Sequence, residues 1–100
     1  MVIAEVSVIP VGTGSTSVSQ HVAKAVKVLN QQKGVKHQVT ATGTIIAGKL
    51  DDVLEAVKKM HESLFADGVK RVVTILRLDD RRDKELTIGY EVDSVMKKLG

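Results

Sequence analysis

The stretch KHQVTATGTIIAG, Lys36–Gly48, decides the fold of this chain. KHQVTAT alternates with the period of two that belongs to a strand. Gly43 supplies a tight turn, and TIIAG then runs as a second short strand. The middle of the chain is therefore a hairpin, and the fold depends on what flanks it.

Upstream, Ser17 followed three residues later by Gln20 fits a capping box. The helix it opens carries Val18, Val22, Ala25, Val26 and Leu29 on one stripe, and QKG ends it with Gly34 as the C-terminal cap. Before that helix, VIAEVSVIPVG places Val2, Ala4, Val6 and Val8 on one face of a strand. Downstream, Asp51 or Asp52 caps a second helix with the stripe Val53, Leu54, Val57, Met60 and Leu64, closed by Gly68. VKRVVTILRL is the last and longest strand, and a short helix around Asp93 to Leu99 offers Val92, Val95, Met96 and Leu99.

The order is βαββαβ plus a terminal helix. Two right-handed crossovers around a central hairpin predict an α+β, ferredoxin-like sandwich. It is a four-stranded antiparallel sheet with both main helices on one face. The other face carries Ile3, Glu5, Ser7 and Ile9 from the first strand, and Arg71, Val73, Ile75 and Arg77 from the last. Gln38, Thr40 and Thr42 join them if Val39 and Ala41 point to the helices. A contiguous band of Ile3, Ile9, Val73 and Ile75 does not belong in water. We expect another subunit to cover it, or a ligand pocket to be floored by it.

Composition points the same way. A chain of 100 residues, 43% hydrophobic, has room for one domain spanning 1–100. Phe65 and Tyr90 are its only aromatics, so the core is built of Val, Ile, Leu and Ala. Small domains with thin cores often oligomerise. The net charge of +3 comes from 15 basic residues well mixed with 12 acidic ones, unlike the basic face of a nucleic-acid binder. RNA stacking on the sheet would need strand aromatics, which are missing. Without cysteine there are no disulfides, thiolate nucleophiles or Cys-ligated metals. No apolar signal segment or membrane-crossing run is present, so a cytoplasmic location is expected.

The loop VGTGSTS between strand and helix lacks the third glycine of a dinucleotide fold and the Gly-Lys of a P-loop. What remains is a helix start beside the hydroxyls of Thr13, Ser15, Thr16 and Ser17, able to meet a polar ligand edge. His21, His37 and His61 lack metal-ligand spacing, and no nucleophile elbow is visible, so neither a metal site nor an enzyme is expected. RLDDRRDK, Arg77–Lys84, mixes its signs too closely for a phosphate site. Arg77, Asp79, Asp80, Arg81, Arg82 and Asp83 instead suit directional Arg–carboxylate pairs at a seam between copies.

IPVGTGSTSVSQHVAKAV, TATGTIIAG, LFADGVKRVVTILRLDDRRDK and VDSVMKKL together resemble the YkoF-like thiamine-binding protein family, over nearly the whole chain. The resemblance is to its branch of small single-domain proteins of unassigned activity. It implies a ferredoxin-like fold assembled as homodimers paired into tetramers. It also implies a pocket for thiamine, its hydroxymethylpyrimidine moiety or a related small ligand. Relatives carry an acidic residue just before the glycine ending the third strand, where this chain has Ala47, with Lys49 soon after. That change favours a neutral or anionic ligand. We therefore expect a non-catalytic small-molecule-binding homo-oligomer without a cofactor. Ser15, Thr16, Ser17 and Thr44 are its expected polar contacts, joined by Ser7 and Thr42. The alternative is a structural or regulatory oligomer without a ligand.

Overall fold

The structure is a computed structural model and describes residues 1–15, 18–83 and 88–99. Its elements are β1 (Val2–Val11), α1 (Ser19–Leu29), β2 (Val35–Val39), β3 (Thr44–Gly48), α2 (Leu50–Ala66), β4 (Arg71–Asp80) and α3 (Ile88–Leu99). The strands form one sheet in the order β2-β3-β1-β4, every neighbouring pair antiparallel. This is the ferredoxin-like arrangement that the element order predicts.

The alternation of β1 sets the layers. Val2, Ala4, Val6 and Val8 are buried under the helices, where they meet Ala25 and Leu29 of α1 and Val53, Ala56, Val57, Met60 and Leu64 of α2. The helix α2 differs from its expected stripe at one position. Leu54 is 42% exposed and Ala56 takes its place. At 100° per residue, Leu54 lies about 90° round from the centre of the buried stripe.

Three helix ends differ from expectation. Capping at α1 falls to Val18 with no side-chain bond, while the expected cap Ser17 lies outside the described residues. The same helix stops at Leu29 with Asn30 as its cap, not at Gly34. Past Leu29 the stripe would fall on Gln32 and Lys33, so a further turn would bury nothing apolar. In α2, Lys49 is the cap, in extended backbone, and Asp51 and Asp52 occupy the first turn. Leu50 packs on the core and draws the helix start forward, and the two carboxylates then face its positive end.

The other end of α2 closes as expected, at Gly68. Val69 N–H donates to Leu64 O and Gly68 N–H to Phe65 O, the paired bonds of a Schellman turn. Gly68 takes φ +88°, which its missing Cβ permits. Val69 and Leu64 are both buried in the core, which seals the turn.

Register defines the open face of the sheet. Glu5 faces Arg77 across β1 and β4, Ser7 faces Ile75, and Ile9 faces Val73. The aliphatic band is therefore not continuous. Ile9, Val73 and Ile75 form one cluster, Ile3 and Ala47 another, and the row Ile45–Glu5–Arg77 runs between them. On β2 the strand ends at Val39, so Gln38 lies on the open face while Thr40 and Thr42 belong to the turn. Val39 faces the helix side as expected but is 58% exposed. Ala41 is exposed beyond the strand.

Candidate functional site

β3 pairs with β1 only as far as Thr44 opposite Val6. From Ser7 to Val11, β1 has β4 on one side and, among the described residues, no strand on the other. The β2–β3 turn arches over the start of that free edge. Thr40 N–H and its hydroxyl both donate to Gly43 O, at 2.8 and 2.9 Å, and Gly43 N–H donates back to Thr40 Oγ1 at 3.1 Å. The Ser7 hydroxyl then ties turn to strand, donating to Thr42 O at 2.8 Å. Gly43 is required by contact: a Cβ there would stand 2.9 Å from Val6 O and 3.0 Å from Ser7 Oγ.

The result is a notch of about 290 Å³ beside the free edge. Its polar wall is Ser7, Thr40, Thr42 and Thr44, and its apolar wall includes Ile9, Val39, Ile75 and Val22 from the first turn of α1. Among the described residues no charged side chain lines it. Thr44 is 3% exposed, the one buried polar residue of the described chain. Hydroxyls both donate and accept, so this wall suits a small ring bearing both kinds of group. The volume lies just below the usual range of ligand sites, about 300–1,000 Å³.

Of the expected contacts, Ser7, Thr42 and Thr44 come together in this notch. Ser15 does not. It is exposed in the β1–α1 loop, where its carbonyl accepts the Thr13 hydroxyl at 3.1 Å. Thr16 and Ser17 lie outside the described residues. Ile9 and Ile75 come from the aliphatic band expected to floor a pocket, whereas Thr40 was not among the expected contacts, because a turn's arch over a strand edge leaves no periodic trace in sequence.

Ala47 is not in the notch. It stands on the open face between Ile3 and Lys36, three residues beyond Thr44, or about 10 Å along the strand. Lys49 belongs to a different concavity of about 540 Å³, shared with Leu50, Asp80, Arg81 and Arg82. There the charge block pairs within the chain. Arg81 grips Asp83 through Nε and Nη2 at 2.6 and 3.1 Å, and Arg82 donates to Asp80 at 2.9 and 3.3 Å. The bonded Asp80 carboxylate raises the Arg82 guanidinium above its ordinary range.

Two of the three histidines, His21 and His61, join separate elements. His21 of α1 presents Nδ1 to Asp67, the C-cap of α2, and Lys24 bonds the second oxygen of the same carboxylate. The Lys24 bond is the chief cause holding the Asp67 carboxyl below its ordinary value. His61 Nδ1 meets Thr74 Oγ1 at 2.6 Å and its ring packs edge-on against Phe65. Among the described residues no three metal-ligating side chains cluster, and no helix is long and apolar enough to cross a membrane.

The model of the family described as thiamine-binding protein matches residues 4–96. This chain belongs to the thiamine-binding protein family. It is 43% identical over 102 residues to the UPF0045 protein YqgV of Bacillus subtilis, covering 99% of this chain and 98% of that one. The crystal structure of the hypothetical protein MJ1052 from Methanocaldococcus jannaschii is similar at a TM-score of 0.86 and 42% identity, covering 94% of each chain. The fold is shared with a candidate thiamine biosynthesis/salvage protein of Thermotoga maritima, at a TM-score of 0.76, 21% identity and 94% and 97% coverage.

Proposed function

We propose that this family member is a non-catalytic binding protein. Its ligand is one neutral heterocycle of the aminopyrimidine kind, such as hydroxymethylpyrimidine, held in the notch beside the free edge of β1. The observation that carries this reading is the notch wall: four hydroxyl-bearing residues opposite aliphatic side chains, with no charge among them. A pyrimidine offers ring nitrogens that accept and an amino group that donates, and Ser and Thr hydroxyls answer both. The flat faces of the ring would lie against Ile9, Val39 and Ile75. Thiamine adds a cationic thiazolium, for which this wall supplies no carboxylate, so the pyrimidine alone is the better fit.

Isothermal titration with hydroxymethylpyrimidine, thiamine and their phosphates tests the reading. The expected result is strongest binding by the unphosphorylated pyrimidine. Absence of heat from every one of them removes the ligand assignment.

Self-association is part of the same proposal. β4 is an edge strand of ten residues whose far end carries Arg77, Asp79 and Asp80, with Arg81, Arg82 and Asp83 just beyond it. Two copies meeting along that edge would form a homodimer, and two such dimers a tetramer. For Arg–Asp pairs to fix the register between copies, Arg81 and Arg82 would exchange Asp83 and Asp80, the partners they hold within the chain, for those of the second copy. The exposed aliphatics of the open face favour a second reading, an assembly that serves no ligand.

A further inference from the structure

We propose that a cavity of about 340 Å³ at the end of β1 receives the phosphate group of a small phosphate ester, held by Lys70 and the protonated imidazole of His21. Four elements converge on it. Thr13 follows β1, His21 lies in the first turn of α1, Asp67 and Gly68 close α2, and Lys70 stands just before β4. The cavity shares no lining residue with the notch, so it stands or falls apart from the ligand reading above.

Main chain is open on two of its walls. Gly12 and Gly68 take φ +77° and +88°, and at neither would a Cβ find another atom within 4 Å. A ligand oxygen can therefore come close to the backbone on either side.

Four groups set the charge. Asp67 is the one carboxylate among the described lining residues, and both of its oxygens are taken, Oδ2 by His21 Nδ1 at 2.7 Å and Oδ1 by Lys24. Held in this way, it opposes an anion far less than a bare carboxylate would. Lys24 and Lys70 against Asp67 leave one net positive charge beside a neutral imidazole, and two beside a protonated one. The positive end of α1 and the negative end of α2 both lie here, so the helix dipoles offset and the side chains decide the sign. The His21 and Asp67 side chains are 23% and 18% exposed, a partly shielded setting in which cations hold an anion more firmly than in open water.

His21 Nδ1 is committed to the carboxylate, so Nε2 is the ring nitrogen left for a ligand. It accepts when the ring is neutral and donates when the ring is charged. A dianion is therefore bound with uptake of a proton, and its affinity falls as the pH rises through the His21 titration. The charged groups around that ring are Lys24 on its own helix, Asp67 from α2 and Lys70 from ahead of β4, while the end of β1 brings none.

Size separates an ester from a bare ion. The volume falls within the range of small-molecule sites, about 300–1,000 Å³, and a tetrahedral ion alone would leave most of it empty. Val11 and Val69 offer apolar wall to the organic part.

The test follows amide and imidazole resonances of the isotope-labelled full chain as sodium sulfate is added at constant ionic strength. Two conditions are compared, about pH 5.5 and about pH 8, either side of an ordinary histidine. Sulfate keeps its double charge throughout, so a pH dependence belongs to the protein. The expected result is saturable shifts at Gly12, Thr13, His21, Gly68 and Lys70, with about tenfold weaker binding at the higher pH. Lys70→Gln, at an exposed position, should weaken binding about two- to fivefold with an unchanged melting temperature. Ribose phosphate should bind more tightly than inorganic phosphate at a single pH, and equal binding of the two overturns the ester. Sulfate shifts that are absent or gathered elsewhere overturn the site. An affinity indifferent to pH, or to Lys70→Gln, overturns the role given to His21 or to Lys70.

Discussion

His21 Nδ1 lies 2.7 Å from Asp67 Oδ2, joining the first turn of α1 to the cap of α2 across 46 residues of sequence. A carboxylate only accepts, so the proton of this bond sits on the imidazole. Lys24 bonds the other oxygen, and the Asp67 carboxyl is held below its ordinary value of 3.8. A carboxyl lowered in the folded state stabilises the fold above its unfolded value and ceases to as pH falls through the folded one. Asp67→Asn should lower the melting temperature at neutral pH, and its difference from wild type should shrink as the pH drops below 3.8 and vanish once it has passed the lowered folded value. Thermal melts across that range check it. A difference that stays constant in acid would contradict the role given to the charge.

The register of α2 makes a contrasting pair of expectations. Leu64 is fully buried beneath the Schellman turn, and Leu64→Ala should cost about 2–5 kcal/mol. Leu54→Ala, on the exposed side, should change stability by about 0.5 kcal/mol or less. Urea denaturation of both variants gives the comparison.

Gly43 allows no methyl group. Gly43→Ala forces the turn away from Val6 O and Ser7 Oγ, and should destabilise by about 1–3 kcal/mol. It should also disturb the bond from Ser7 to Thr42, so binding in the notch should weaken along with the fold. Denaturation paired with titration of the pyrimidine separates the two effects.

Two hydroxyls of the notch can be removed with little change of shape. Thr44→Val keeps the buried volume, and Ser7→Ala removes one hydrogen bond to the turn. Each should weaken hydroxymethylpyrimidine binding by about two- to tenfold, the worth of one net hydrogen bond. Calorimetric affinities of both variants against wild type decide it.

Much of the fold was legible because burial repeats. The period of two in VIAEVSVI fixed which residues of β1 face the helices, and the Gly43 turn between two short strands fixed the hairpin. The α1 end at Leu29 was harder to place, because Gly34 has the left-handed backbone of a cap but sits four residues past the capping Asn30. The site was half legible. Ser7, Thr42 and Thr44 were marked by chemistry and by closeness to the hairpin. Thr40 reaches the site through turn geometry, and Asp67 meets His21 only because antiparallel helices bring their opposite ends together. From the charge block the sequence suggested Arg–carboxylate pairs between copies, whereas the pairs seen lie within one chain. That Arg81 and Arg82 each find a partner two residues away is local loop geometry that composition does not encode.

The most direct test of the proposed site is a map of backbone amide shifts as hydroxymethylpyrimidine is added to isotope-labelled protein. The prediction is saturable shifts gathered at Ser7, Thr42, Gly43 and Thr44. Shifts centred instead on Lys49, Arg81 and Arg82, or none at millimolar ligand, would contradict it.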